Sequence, residues 1–262
     1  MQIFKYHQIE LIIMVLELIL IYTFVASIAG LAGGLVLILK EEFTKRFSIY
    51  FVSFAAGALL ATAFLDLLPE GIGLVPDIQF GLLLVLAGVV LFFVIEKLLI
   101  WSHCHGNECD IHHESKPYVM MVGDTVHNFI DGIIVAASFL VSIPLGMVTA
   151  IAIFFHEIPQ EMGDFGTMLH MGLSKKKTIL FNLISAAFSF IGAILTYFFA
   201  PLVQGLLGLI VMIAAGNLMY IAIADLIPEL HHERNTKKAI TQIIFMLLGI
   251  VIIWGLSIFL AE

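Results

Sequence analysis

Apolar runs long enough to cross a bilayer recur along almost the whole chain, and they constrain its fold more than any other feature. A transmembrane helix needs about 20 predominantly apolar residues. Eight such runs lie at about residues 12–39, 48–70, 80–101, 117–141, 144–171, 177–200, 205–229 and 238–260. Charged residues make up 12% of the chain, about half the fraction in a soluble domain. The sequence therefore predicts an all-α, polytopic membrane protein, with one transmembrane domain over residues 1–262 and loops too short for a soluble domain.

The lysines and arginines cluster on one side of the eight predicted helices. Of the twelve, all but Lys5 lie in the connections after helices 1, 3, 5 and 7 or at the helix ends beside them. The connections after helices 2, 4 and 6 contain none. Because loops rich in lysine and arginine stay in the cytoplasm, we expect both termini to be extracytoplasmic in a multi-pass protein of the cell membrane.

A repeat links predicted helices 2 and 7. Residues 55–70 read AAGALLATAFLDLLPE and residues 214–229 read AAGNLMYIAIADLIPE, with nine of sixteen positions identical. By the charge pattern, helix 2 runs outward and helix 7 runs inward, so the two copies are antiparallel. Inverted repeats of this kind are typical of transporters. We therefore expect helices 1–3 to mirror helices 6–8 around a central pair, helices 4 and 5.

Polar side chains are concentrated in that central pair. Helix 4 contains GDTVHNFIDG, in which His127 and Asp131 are four residues apart and share one helical face. Helix 5 contains HEIPQEMGDF, in which His156 and Gln160 have the same spacing. Imidazoles and carboxylates together suit zinc and its first-row neighbours, and a bound dication offsets the cost of a carboxylate in hydrocarbon. The candidate ligands are His127, Asn128, Asp131, His156, Glu157, Gln160 and Glu161.

A structural interpretation competes with the metal site. A single histidine or aspartate in a membrane helix is often a hydrogen bond between helices. Matching spacing on two adjacent helices favours a metal site for the set as a whole. For Asp124 and Asp164, at the ends of the two clusters, both interpretations stay open.

At these residues the sequence resembles the ZIP family of divalent-metal transporters. HNFIDG matches the family's HNxxDG/HNxPEG pattern, and HEIPQEMGDF is similar to the HExPHExGD pattern of its largest animal subfamily. The resemblance covers essentially the whole chain. It implies eight helices and uptake of zinc, and in some members Fe²⁺, Mn²⁺ or Cd²⁺, into the cytoplasm. It also implies a main site in which His127, Asn128 and Asp131 meet the helix 5 ligands His156, Glu157 and Gln160.

The sequence departs from the family pattern in two places. Gln160 stands where the animal subfamily has His and other members have Glu, and a neutral amide cannot bridge two cations as a carboxylate can. Helix 6 has no acidic residue where members with a binuclear centre use a carboxylate, and Asn182 is its strongest polar candidate. We therefore expect one principal metal site.

The repeat and one loop supply candidate residues for a path. Acidic groups at an outer opening raise the local concentration of cations, and a histidine-rich inner rim can accept them; ordinary solvated helix ends are the alternative. The predicted cytoplasmic loop 102–116 contains HCHGNECDIHHE, a composition that suits a low-affinity metal relay or sensor; a flexible polar loop without bound metal is the alternative. The path candidates are Asp66 and Glu70 outside, with Asp225, Glu229, His231 and His232 inside. The loop candidates are His103, Cys104, His105, Cys109, His112 and His113.

The favoured function is transport of divalent cations, zinc above all, into the cytoplasm by alternating access. An intramembrane zinc protease is one alternative, because HEIPQ begins like HExxH, but Gln160 replaces the second histidine. A metal sensor without flux is the other. We expect no enzymatic activity, divalent metal ions and the bilayer as partners, and no nucleic acid; a homodimer stays open.

Overall fold

The fold is a bundle of long helices. The computed structural model describes residues 13–27, 31–32, 35, 41–101, 116–170 and 172–261, and these contain no β-strand. Six elements are simple helices: α1 (Ile13–Ser27), α3 (Ile78–Trp101), α4 (Lys116–Val141), α5 (Ile143–His170), α6 (Lys175–Phe198) and α8 (Thr236–Ala261). Within the described residues, seven helices are long and apolar enough to cross a membrane, and α1 is a shorter apolar helix. The prediction of a polytopic all-α membrane protein is confirmed.

The two repeat helices, α2 and α7, each change their winding partway along. The helix α2 consists of Glu41–Ala61, a π-helical segment Thr62–Leu67 and Leu68–Leu74. The helix α7 consists of Leu207–Tyr220, a π-helical segment Ile221–Leu226 and Ile227–Leu230. It follows the short helix Ala200–Val203 and the 3₁₀ turn Gln204–Leu206.

The two π-helical segments occupy the same place in the aligned repeat. Each contains the repeated aspartate, Asp66 or Asp225, and each is followed within two residues by the repeated proline, Pro69 or Pro228. Proline lacks an amide hydrogen and clashes with the carbonyl four residues earlier, so a wider turn before it relieves the clash. The inverted repeat is thus a repeat of local structure as well as of sequence.

Close packing follows the same symmetry. A Cβ atom added to Gly57 of α2 would lie 2.0 Å from the carbonyl oxygen of Met246 in α8. A Cβ added to the equivalent Gly216 of α7 would lie 2.1 Å from the carbonyl oxygen of Val85 in α3. Helices α2 and α8 therefore touch backbone to backbone, and so do α7 and α3. We call α2, α3, α7 and α8 the flanking bundle.

A second group of helices surrounds the polar centre. A Cβ added to Gly132 of α4 would lie 1.9 Å from the carbonyl oxygen of Ser189 in α6, so these backbones also touch. Helix α1 joins them, because Ser27 and Ser189 share a hydrogen bond of 2.6 Å and the rings of Tyr22 and Phe139 are 5.3 Å apart. Helix α5 packs against α4. We call α1, α4, α5 and α6 the site bundle.

Aromatic side chains line part of the boundary between the two bundles. Phe54 of α2 packs edge-on against Phe155 of α5, with 4.5 Å between ring centroids. Phe92 of α3 contacts His127 of α4 in the same edge-on manner, at 5.8 Å. The boundary therefore consists of side-chain contacts at these places, while backbone contacts lie within each bundle.

Candidate metal centre

Four buried side chains of α4 and α5 meet between these two helices. His127 and Asp131 lie on one face of α4 because they are one helical turn apart, and α5 contributes the consecutive His156 and Glu157. Their exposed fractions are 9%, 3%, 1% and 1%. One ligand atom from each lies within 4.8 Å of the other three. No other group of this kind occurs among the described residues.

The separations of these atoms match a tetrahedral metal site. Nε2 of His127 and Nε2 of His156 are 3.2 Å apart. Oδ2 of Asp131 lies 3.2 Å from the His156 nitrogen and 3.6 Å from the His127 nitrogen. Oε1 of Glu157 lies 3.6 Å from each nitrogen. Four ligands at zinc distances of about 2.0–2.1 Å stand about 3.3 Å from one another in a tetrahedron. Five of the six separations are therefore close to those of a zinc site, and the sixth, between the two carboxylate oxygens, is within 4.8 Å.

The electrostatics of the four residues also favour a cation. Both carboxylate oxygens of Asp131 and of Glu157 are buried without a hydrogen-bond partner among the protein atoms. Burying a carboxylate without a compensating charge is very costly. A divalent cation would satisfy all four groups together and would balance the two negative charges.

The two predicted amide ligands lie beside a different carboxylate. The side-chain nitrogen of Asn128 donates to Oδ1 of Asp124 at 3.0 Å and to the hydroxyl of Ser185 at 3.3 Å. Gln160 lies close to Asp124. In this arrangement Asp124 orients Asn128 beside the four-residue centre, and the role of Asn128 and Gln160 as ligands stays a prediction.

Glu161 lies outside the four-residue centre. It is 0% exposed, both carboxylate oxygens have no hydrogen-bond partner, and its electrostatic neighbours are Asp124 and Asp164. Glu161 follows Glu157 by four residues, so the two share one face of α5 and Glu161 lies one helical turn beyond the centre. Its predicted role as a ligand stays untested.

Three residues near the centre were missed by the sequence analysis. Phe92 of α3 packs between His127 and Tyr220, with ring centroids 5.8 Å from each. The hydroxyl of Tyr220 in α7 donates to Oε2 of Glu96 in α3, and Asp225 is an electrostatic neighbour of both Glu96 and His156. A solitary acid in the very apolar helix α3 was the signal that could have pointed to Glu96.

The predicted outer residues differ in burial. Asp66 is 9% exposed, lies beside Ser257 of α8 and keeps Oδ2 without a partner, whereas Glu70 is exposed. Asp225 and its neighbour Glu96 form the equivalent pair between α7 and α3 at the other end of the repeat. The inner residues Asp225, Glu229, His231 and His232 are exposed.

The turn between α7 and α8 is fixed by its own hydrogen bonds. Oε1 of Glu233 accepts a hydrogen bond of 2.8 Å from the backbone amide of Asn235, and Oε2 lies 3.4 Å from Nζ of Lys238. The amide hydrogen bond from Asn235, with the lysine, lowers the pKa of Glu233 below its ordinary value. The Glu233 carboxylate is therefore engaged with Asn235 and Lys238, whereas His231 and His232 beside it face solvent.

The loop candidates His103, Cys104, His105, Cys109, His112 and His113 lie outside the described residues.

Comparison with known proteins agrees with the geometry. The family model described as ZIP Zinc transporter matches residues 16–119 and 102–257. Zinc transporter ZIP13 of Pongo abelii is 32% identical over 227 residues, which cover 79% of this chain and 66% of that protein. Zinc transporter ZIP4 of Mus musculus is 35% identical over 144 residues, 55% of this chain and 21% of that protein. The chain thus spans just under two thirds of the first relative's length and about a fifth of the second's.

Proposed function

The chain belongs to the ZIP family of zinc transporters, and we propose that it carries divalent cations, zinc above all, across a membrane into the cytoplasm. The observation that supports this most is the buried set of two imidazoles and two carboxylates in α4 and α5 with tetrahedral separations. The family consists of transporters rather than enzymes, which removes the intramembrane protease. Zinc uptake into sealed proteoliposomes distinguishes a transporter from a sensor that binds the metal without flux.

The charge of the centre selects for a divalent cargo. Two carboxylates carry two negative charges when ionised, and two neutral imidazoles carry none. A divalent ion therefore makes the loaded centre electrically neutral, whereas a monovalent or trivalent ion leaves a net charge inside the low-dielectric bundle. Such a charge is expensive at membrane depth. Soft and borderline ions that accept nitrogen ligands, such as zinc, fit this set better than calcium or magnesium.

Alternating access follows from the two bundles. We infer that the site bundle, with the ion between α4 and α5, shifts against the flanking bundle and opens first outward and then inward. Backbone contacts at Gly57, Gly216 and Gly132 lie within one bundle or the other. The boundary contacts at Phe54 and Phe92 are side-chain contacts, which can slide without breaking a backbone hydrogen bond.

The outer and inner ends of the path have the carboxylates that such a route needs. Asp66 and Glu70 would gather cations outside, and Asp225, Glu229, His231 and His232 would receive them inside. We propose that the histidine- and cysteine-rich loop 102–116 then collects the ion.

The proposed direction of transport rests on the lysine and arginine pattern, which favours extracytoplasmic termini. A tag at either terminus should therefore be digested by protease added outside intact cells.

We propose that the hydrogen bond from Tyr220 to Glu96 holds the inner route closed. It holds α3 to α7 directly beside Phe92, which covers the His127 ring. We expect Tyr220→Phe to raise the maximal rate of zinc uptake by about twofold to tenfold, the range for loss of one net hydrogen bond. The KM for zinc should change less than about twofold, because no group of the metal centre is altered.

Uptake kinetics in proteoliposomes measure both parameters. Tyr22→Phe is the matched control, because it removes a hydroxyl but keeps the ring that contacts Phe139. An unchanged maximal rate for Tyr220→Phe, or a change confined to KM, would show that this hydrogen bond does not limit inward opening.

The function is tested by zinc uptake into sealed proteoliposomes that contain a fluorescent chelator. The expected result is saturable entry that empty liposomes lack and that a zinc-specific external chelator stops. If well-folded protein binds one zinc per chain but supports no entry, the transport proposal is wrong and the sensor is favoured.

A further inference from the structure

A small cavity adjoins the metal centre on the side of α1. It has a volume of ≈ 10 Å³ and lies within the site bundle. Its lining includes Asp131 and Glu157 of the metal centre and the hydroxyl residues Thr23, Ser27 and Ser189. A cavity of about 10–15 Å³ with two to four polar partners is suited to one water molecule.

Thr23 lines the cavity with a buried hydroxyl that no protein hydrogen bond satisfies. It is 1% exposed, and its Oγ1 has no hydrogen-bond partner among the protein atoms. A threonine in a helix commonly donates to the carbonyl four residues earlier, as Thr125 and Thr196 do at 2.6 and 2.9 Å. Ser27 and Ser189 already share a hydrogen bond. Thr23 therefore lines the same cavity as Asp131 and Glu157, with a hydroxyl that no protein group satisfies.

We propose that this cavity holds one water molecule that Thr23 positions as an additional ligand of the cargo ion. The inference rests on the proposed function, because the ion is the cargo of the four-residue centre. The water completes a shell of five for ions that prefer more ligands than the four that zinc takes. Thr23 is thus a selectivity residue on a third helix, and it matters more for Mn²⁺ than for Zn²⁺.

The test compares metal binding by Thr23→Val, which keeps the volume of the side chain and removes the hydroxyl. Titration calorimetry of the detergent-solubilised full chain should show at least a fivefold loss of Mn²⁺ affinity and less than a twofold loss for Zn²⁺. Thr23→Ser restores a hydroxyl and should bind Mn²⁺ as the native chain does. Thr149→Val is the control, because Thr149 is equally buried and unpartnered but does not line the cavity.

A spectroscopic signature separates a water ligand from a packing effect. In water enriched in ¹⁷O, electron–nuclear double resonance of bound Mn²⁺ should detect a water oxygen in the native chain and in Thr23→Ser, and lose that signal in Thr23→Val. Equal losses for both metals, no loss for either, or a retained ¹⁷O signal in Thr23→Val would overturn the proposal, as would a native chain that binds no Mn²⁺. Binding is measured without a membrane, so a failure of zinc uptake in proteoliposomes would refute the transport function separately.

Discussion

His156→Ala is expected to reduce zinc uptake into proteoliposomes at least about 100-fold. Loss of a group that only supports a ligand commonly lowers metal affinity about 10–100-fold, and removal of a direct ligand should do more. His156 contacts all three other members of the centre, because its Nε2 lies 3.2 Å from His127 and Asp131 and 3.6 Å from Glu157. Its removal also leaves two buried carboxylates with one imidazole between them.

The loss should appear in binding as well as in flux. Titration calorimetry with Zn²⁺ should lose its high-affinity phase in His156→Ala, while helical content and thermal stability without metal stay close to native. Ser138→Ala is the matched control on α4, because it is 1% exposed and its hydroxyl has no partner. Uptake by His156→Ala within a few-fold of native would show that the ion crosses by another route.

Gly57→Ala and Gly216→Ala are expected to destabilise the fold by similar amounts. Each new Cβ would lie 2.0–2.1 Å from a backbone carbonyl oxygen of the neighbouring helix, and a backbone cannot rotate away as a side chain can. Overpacking of this kind costs about 1–3 kcal/mol and occasionally more, so we expect a fall in Tm of roughly 2–12 °C. The two effects should match because the positions are equivalent in the inverted repeat.

Two other glycines supply the controls. A Cβ added to Gly73 of α2 or to Gly255 of α8 meets no atom within 4 Å. Alanine at these places should be neutral or slightly stabilising, because it favours a helix by up to about 1 kcal/mol relative to glycine. A thermal melt of purified protein in detergent distinguishes the four variants. If Gly57→Ala and Gly216→Ala melt with the two controls, the backbone contacts within the flanking bundle are wrong.

Sequence periodicity was sufficient for the helices and for the pairing of the polar residues within each of them. His127 and Asp131 share a face because of their spacing, and the D-L-x-P-E repeat correctly identified the equivalent ends of α2 and α7. The helix α2 extends beyond the predicted 48–70, to Glu41 and Leu74, because hydropathy detects only the apolar part of a helix. The amino-terminal turns contain charged residues outside that part.

Contacts between helices that are distant in sequence could not be predicted from sequence periodicity. Phe92 and Glu96 of α3 meet Tyr220 of α7 because the close approach at Val85 and Gly216 sets the register of these two helices. No periodic pattern within α3 specifies that register. The position of Gln160 beside Asp124 likewise depends on how α4 and α5 cross, which spacing along one helix does not determine.

X-ray absorption at the zinc K edge tests the central claim most directly. The full chain, purified with one equivalent of zinc, should give two imidazole nitrogens and two carboxylate oxygens at about 2.0–2.2 Å. A shell of sulfur at about 2.3 Å would instead locate the ion at Cys104 and Cys109 of the cytoplasmic loop. That result, in protein that still takes up zinc, would contradict the account of α4 and α5 as the principal site.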